Sequence, residues 1–117
     1  MQYLTLYTAK SMNGPPSAEH MAAMGKLIEE MMKEGTLVST GPLARAETGG
    51  FKATQEGGKV EFVEGRRTQL TGASGYAILN VKSKEHLKEV SKRFLAVAGD
   101  GESDMIQISE MPGASQR

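Results

Sequence analysis

Residues 76–85 read Tyr76-Ala77-Ile78-Leu79-Asn80-Val81-Lys82-Ser83-Lys84-Glu85, a strand that runs directly into a capped helix. The strand alternates, with Ala77, Leu79 and Val81 on one face and Tyr76, Ile78 and Asn80 on the other. Ser83 suits an N-cap because its hydroxyl can accept an otherwise orphaned amide of the first turn, and Glu85 places a carboxylate near the positive end of the helix dipole. Leu87, Val90, Phe94 and Val97 then recur at helical spacing, and Gly99 stops the run. Glu89 stands four residues before Arg93, the spacing of an ion pair along one helix face. This unit predicts a central strand and the helix that covers it.

The N-terminal part repeats the plan. Residues 3–8 alternate, with Leu4 and Leu6 expected toward the core and Tyr3, Thr5 and Tyr7 away from it. Met12-Asn13-Gly14-Pro15-Pro16 breaks regular structure. Ser17 is a second N-cap with Glu19 in the first turn, and Met21, Met24, Ile28 and Met31 form an apolar stripe ending at Gly35. Residues 37–40 read as a strand closed by Gly41-Pro42. A loop through Glu47-Thr48-Gly49-Gly50 leads to residues 51–55 and 59–64, two β-compatible runs joined across Glu56-Gly57-Gly58 as a charged, edge-like hairpin. Gly72-Ala73-Ser74-Gly75 is a turn, since it lacks the ending of a phosphate loop and precedes a strand rather than a helix. Asp100-Gly101-Glu102 reads as another turn, residues 105–109 as the last strand, and residues 112–117 as a tail beyond a single domain spanning 1–111. Strand-helix-strand, hairpin, strand-helix-strand is an α+β order. It predicts a ferredoxin-like antiparallel sheet with two helices on one face.

Composition limits the functions available. The 117 residues carry 14 basic and 14 acidic side chains, so no net field draws the chain to nucleic acid or an anionic membrane. There is no cysteine, which excludes thiol catalysis and disulfides and fits a reducing cytoplasm. No apolar run approaches the ~20 residues of a membrane-spanning helix, and residues 3–7 read as a strand rather than a leader. Two distant histidines without clustered carboxylates give no metal-ligand spacing, and no cofactor is implied.

Few residues remain for chemistry. At ~100° per residue His20 falls within about 40° of the apolar centre set by Met24 and Met31, whereas His86 lies roughly 80° from the centre of its own stripe. His20 is therefore the candidate general acid or base, set against the simpler reading of a half-buried histidine beside a helix cap. Met21, Met24, Met31 and Met32 read as core packing rather than an adaptable ligand surface. Glu64-Gly65-Arg66-Arg67 offers a carboxylate and two guanidiniums at the hairpin exit, either a rim for an anionic group or a solvated turn. Lys84, Lys88 and Lys92 form a solvated helix face. If Leu4, Leu6, Ala77, Leu79 and Val81 meet the helices, the other sheet face carries all three tyrosines with Thr5, Ile78, Asn80, Met105, Gln107 and Ser109. Such a mixture suits a homodimer interface or a cavity with a few placed polar groups. Tyr7 and Tyr76 are the candidate ligand-orienting hydroxyls.

Three segments together resemble a known family. Met21-Ala22-Ala23-Met24-Gly25-Lys26 runs through Glu29-Glu30 to Gly35 and Gly41-Pro42-Leu43, and Glu64-Gly65 follows. Gly75-Tyr76-Ala77-Ile78-Leu79-Asn80-Val81-Lys82-Ser83-Lys84-Glu85 then leads to Lys92-Arg93-Phe94 and Gly101-Glu102. Over nearly the whole chain this is similar to the bacterial YCII-related proteins, in their DGPF-domain branch. The resemblance implies a dimeric α+β barrel in which two ferredoxin-like sheets face each other. It also implies two functional readings: a small polar or aromatic molecule bound or transformed near the dimer interface, or a non-catalytic regulatory domain tied to extracytoplasmic-function sigma factors. One relative is a dehydrochlorinase for which a His–Asp pair has been proposed. This chain departs from the pattern. The Asp-Gly-Pro-Phe signature becomes Glu64-Gly65-Arg66-Arg67, the family's helix-one histidine aligns near Met24, and Ala9-Lys10-Ser11 stands where an acid is expected. The His–Asp mechanism therefore lacks its parts here.

Overall fold

Two serines set the starts of two helices. In the computed structural model, which describes residues 1–10, 17–44, 49–64 and 73–109, Ser17 Oγ accepts the His20 amide at 3.1 Å and Ser83 Oγ accepts the His86 amide at 3.1 Å. The helices are α1 (Ala18–Lys33) and α2 (Lys84–Ala98). Gly35, at φ 79°, follows α1, and Gly99, at φ 99°, caps α2. Both take a left-handed conformation that costs glycine nothing. The breaker at 12–16, the Glu47-Thr48 part of the loop and the tail at 112–117 lie outside the described residues.

The strands are β1 (Gln2–Ala9), β2 (Leu37–Pro42), β3 (Phe51–Glu56), β4 (Lys59–Glu64), β5 (Gly75–Asn80) and β6 (Gly101–Ile108). Four form an antiparallel sheet in the order β2-β5-β1-β6, the ferredoxin-like order, with β5 and β1 central as expected for the stretch that begins at Tyr76. Pro42 sits in β2, an edge strand that tolerates a missing amide donor. β6 begins at Gly101, so the residues read as a turn already belong to the ladder: Ala9 pairs with Gly101 and Thr8 with Glu102.

Strands β3 and β4 pair only with each other, joined by Gly57 and Gly58 at φ 58° and 83°. Two positive φ values make the tight hairpin turn whose twist matches the strands. Phe51, Ala53, Val60 and Phe62 share one face of this ribbon, the two phenyl rings 6.1 Å apart, while Lys52, Thr54, Glu56, Lys59 and Glu61 share the other. Every residue of both strands is exposed.

Both helices cover the same side of the sheet. The core joins Leu27 and Met31 of α1, Leu87 and Val90 of α2, Leu37, Leu79, Val81 and Tyr3, with Met24, Ile28, Phe94 and Val97 packed around it. The α2 stripe is the one its spacing predicts. On α1 the core reading holds for Met31 and partly for Met24, but Met21 and Met32 are exposed.

The face of β1 is the reverse of the expectation. Tyr3 pairs with Leu79 and Thr5 with Ala77, so Tyr3, Thr5 and Tyr7 lie under the helices, while Leu4 and Leu6 share the outer face with Ile78 and Tyr76. Tyr3 is buried in the core, and the Tyr7 ring meets Phe94 of α2 edge-on, centroids 5.5 Å apart. Met105 and Gln107 accompany Thr5 and Tyr3 to the helix side, which turns Ile106 and Ile108 outward. A shift of one residue in phase exchanges the two faces of a strand. The three tyrosines are thus divided, with only Tyr76 on the outer face.

The expected Glu89–Arg93 pair gives way to one between helices. Arg93 Nη1 and Nη2 donate to Glu34 Oε1 and Oε2 at 2.9 and 2.8 Å, and Nη2 also reaches Glu30 Oε2 at 3.1 Å. The planar fork fits a carboxylate with two parallel bonds, so contacts from α1 outcompete a single neighbour along α2. Arg93's hydrogen bonds, with its charge and that of His86 adding, hold the Glu34 carboxyl below its ordinary 4.5, against burial. The Glu34 and Glu30 carboxylates in turn hold Arg93 more firmly protonated. A carboxyl depressed in the fold stabilises above its unfolded pKa and loses that contribution as pH falls through the lower folded value. The urea midpoint of Arg93→Gln is expected below that of the parent at neutral pH, with the gap shrinking as pH falls below the ordinary carboxylate range. A gap that stays constant would show that the pair does not hold the helices.

Candidate functional site

A cavity of about 750 Å³ lies between the two helices and the helix side of the sheet. Its wall is mainly apolar, from Met24, Ile28 and Met31 of α1, Val90 and Phe94 of α2, and Leu79 of β5. His20 and Met21 bring the first turn of α1 to it, and Thr40, Gly41 and Pro42 the end of β2. Ser74, just before β5, ties this end together. Its amide donates to the Tyr7 carbonyl at 2.7 Å, its carbonyl accepts the Leu43 amide at 3.0 Å, and its hydroxyl accepts the Ala9 amide at 3.3 Å. Ala73 and Ser74 have no regular structure, and Ser74 joins β1 to the end of β2; Gly72 lies outside the described residues.

Among the residues read as functional, Tyr7 and His20 reach the cavity from the helix side, and Tyr76, whose side chain belongs to the outer face, borders it at the start of β5. Their polar atoms differ in availability. The Tyr7 hydroxyl is shared between the Gly99 and Asp100 carbonyls, at 3.2 and 3.1 Å, and the Tyr76 hydroxyl lies 3.0 Å from Ser39 Oγ. Both phenols hold the fold together rather than standing ready for a ligand. His20 is half-buried, its amide engaged by Ser17. His86 is structural, its Nδ1 accepting the Lys82 amide at 3.0 Å. Glu64 ends β4 on the exposed hairpin, opposite Phe51, and does not line the cavity, so His20 and Glu64 are not brought together as a proton-transferring pair. Gly65, Arg66 and Arg67 lie outside the described residues.

Two hydroxyls that sequence reasoning passed over stand out instead. Thr5, 6% exposed, and Ser103 both line the cavity, and both have side-chain oxygens that are buried without a hydrogen-bond partner. A buried orphan hydroxyl costs ~1–3 kcal/mol, which marks these positions as unusual. The sequence alone puts Thr5 on the outward face and leaves Ser103 between the turn at 100–102 and the strand at 105–109. The only signal available was the alternation of β1, read in the opposite phase.

The described lining contains no Asp, Glu, Lys or Arg, and His20 is its one imidazole. Among the described residues no group of three His, Asp or Glu side chains is placed to hold a metal ion, and no helix is long and apolar enough to cross a membrane.

Fold and site together define an α+β protein with a ferredoxin-like strand order and a largely apolar cavity beneath its helices. No family model matches the chain, and no curated protein matches its sequence. Among solved structures it is similar to the crystal structure of CutA from the bacterium Xylella fastidiosa, at 14% identity and a TM-score of 0.43, over 95% of this chain and 88% of that one.

Proposed function

We propose that this chain is a YCII-related protein of the DGPF type, working in the cytoplasm as a homodimer, and that it binds or acts on a small molecule in the cavity beneath its helices. The observation that carries the binding reading is the cavity itself, a mostly apolar hollow with few polar groups, which is the usual composition of a small-molecule site. His20 is the candidate general acid or base there if chemistry follows binding. Nuclear magnetic resonance with a library of small aromatic and oxygenated fragments tests this. Ligands are expected to shift the amides of Thr5, His20 and Met24, and Met24→Trp, which narrows the cavity beside His20, is expected to weaken the shifts. Shifts confined to the hairpin or the outer face would end the reading.

The dimer rests on the outer sheet face. Ile78, Leu4 and Ile106 form a row across β5, β1 and β6, flanked by Asn80, Gln2 and Ile108 on one side and Tyr76, Leu6 and Asp104 on the other. Ile106 is 55% exposed and Ile108 41%. A solvated antiparallel face is ordinarily polar, whereas this one carries an apolar row that continues to Ile108, with Gln2, Asn80 and Asp104 at its margins and Leu6 already buried within it, a pattern that suits a second copy related by a two-fold axis. Sedimentation equilibrium at micromolar concentration is expected to give a dimer, and Ile106→Lys a monomer. A monomeric parent would sink this part.

The hairpin favours a second reading, a non-catalytic interaction domain. Two isolated strands are marginal in water, yet Phe51 and Phe62 are 62% and 65% exposed on one face. If Phe62→Ser leaves every captured partner of the parent protein in place, the hairpin is not such a surface.

A further inference from the structure

We infer that the cavity takes an uncharged, apolar-bodied molecule carrying one hydroxyl or carbonyl oxygen, and that Thr5 and Ser103 are the groups that receive that oxygen. This rests on the reading of the cavity as a small-molecule site and narrows the ligand class. Three observations converge on it.

The first is charge. The described lining holds no carboxylate, ammonium or guanidinium. An ionised ligand entering an apolar hollow gives up its hydration and finds no carboxylate, ammonium or guanidinium in return, so its desolvation goes largely uncompensated. A neutral molecule pays little of that penalty.

The second is the pair of orphan hydroxyls. Thr5 of β1 pairs directly with Met105 of β6, and Tyr7 pairs with Ser103. Thr5 and Ser103 are therefore diagonal neighbours on one face of adjacent antiparallel strands, about 7–8 Å apart from backbone to backbone, a spacing a ligand oxygen lying between them can bridge. Neither oxygen has a hydrogen-bond partner among the described residues. Hydroxyls donate as well as accept, so a ligand carbonyl accepting from both, or a ligand hydroxyl donating to one and accepting from the other, satisfies the site. Each side chain can also turn between staggered rotamers to bring its oxygen toward the cavity its own residue lines.

The third is that every other hydroxyl nearby is already used. Tyr7 and Tyr76 are bonded as described, Thr40 Oγ1 donates to the Tyr76 carbonyl at 2.7 Å, Ser74 Oγ donates to the Tyr7 carbonyl at 3.2 Å, and Ser91 Oγ donates to the Leu87 carbonyl at 2.8 Å. Ser17 Oγ accepts the His20 amide at 3.1 Å, so among the lining hydroxyls Thr5 and Ser103 are the pair without a partner, with the imidazole of His20 also on the lining.

Three probes of one shape separate the possibilities: 2-naphthol, naphthalene and 2-naphthoate, titrated into the full chain at neutral pH. The inference expects 2-naphthol to bind about tenfold more tightly than naphthalene, the ratio one added hydrogen bond supplies, and 2-naphthoate to bind more weakly than either. Thr5→Val keeps the shape and removes the hydroxyl. It is expected to erase most of the preference for 2-naphthol while leaving naphthalene binding unchanged, and a thermal melt as sharp as the parent's shows that the variant is folded. Equal binding of 2-naphthol and naphthalene overturns the hydroxyl assignment, with water left as the partner of Thr5 and Ser103. Tighter binding of 2-naphthoate overturns the uncharged class. In both cases the small-molecule reading survives. If none of the three binds, that reading falls, and this inference with it.

Discussion

Tyr3→Ala is expected to lower the unfolding free energy by ~3–5 kcal/mol, the range for emptying a large aromatic from a core. Ile106→Ala, on the opposite sheet face, is expected to lower it by under about 1 kcal/mol. By residue type alone the order runs the other way, because isoleucine is the more apolar side chain and tyrosine tolerates water. Position decides. Tyr3 is 5% exposed, inside the cluster that joins β1, β5, α1 and α2, whereas Ile106 is 55% exposed. Removing the Tyr3 ring leaves a hollow bounded by Leu79 and both helices, and close-packed neighbours relax into such a gap only in part. Equilibrium unfolding in urea, with the slope monitored as well as the midpoint, measures both losses. In the proposed dimer the loss at Ile106 also varies with protein concentration, while the loss at Tyr3 does not. Equal losses at the two positions, independent of concentration, would mean that the faces of β1 and β6 are assigned wrongly.

That contrast also marks where the sequence stopped being readable. Local rules were enough for the helix caps at Ser17 and Ser83, the α2 stripe, the Gly57-Gly58 hairpin and the element order, because each depends on residues a few positions apart. Alternation divides β1 into two faces but cannot say which meets the helices. The answer lies in its pairing with β5 and in Phe94, a residue almost ninety positions from Tyr7. Leu4 and Leu6 looked helix-facing because leucine is usually core; Leu6 is indeed buried, but on the outer face, and a sheet that is apolar on both faces allows either phase. Arg93 shows the same limit: helical spacing selects Glu89, while the fold brings Glu30 and Glu34 from another helix. At the site, Tyr7, His20 and Tyr76 could be picked out by residue type. Thr5 and Ser103 are common residues whose interest comes only from being buried without partners, and no sequence pattern records that.

Gly101→Ala is expected to destabilise the protein by ~1–3 kcal/mol, the cost of overpacking a filled site. The φ of Gly101 is not in the left-handed region, so backbone strain is not the cause. Space is. A Cβ at this position would overlap the Thr8 carbonyl oxygen and sit 2.8 Å from the Tyr7 hydroxyl and 2.9 Å from Tyr7 Cε1. The carbonyl is backbone in the paired strand and cannot swing aside. Tyr7 is held by its bonds to Gly99 and Asp100 and by its edge-on contact with Phe94. An alanine must therefore spread β1 from β6 or displace Tyr7 from the cavity lining, and either response disturbs the place where Ser103 faces the cavity. Gly25→Ala supplies the control. Gly25 lies within α1, is exposed and has nothing within 4 Å of a built Cβ, so alanine there is expected to stabilise by ~0.5–1 kcal/mol through helix propensity and a less disordered unfolded chain. The same substitution thus carries opposite signs at two glycines, read as opposite shifts of the urea midpoint. A Gly101→Ala variant at least as stable as the parent would mean that β1 and β6 do not approach each other as closely as this packing requires.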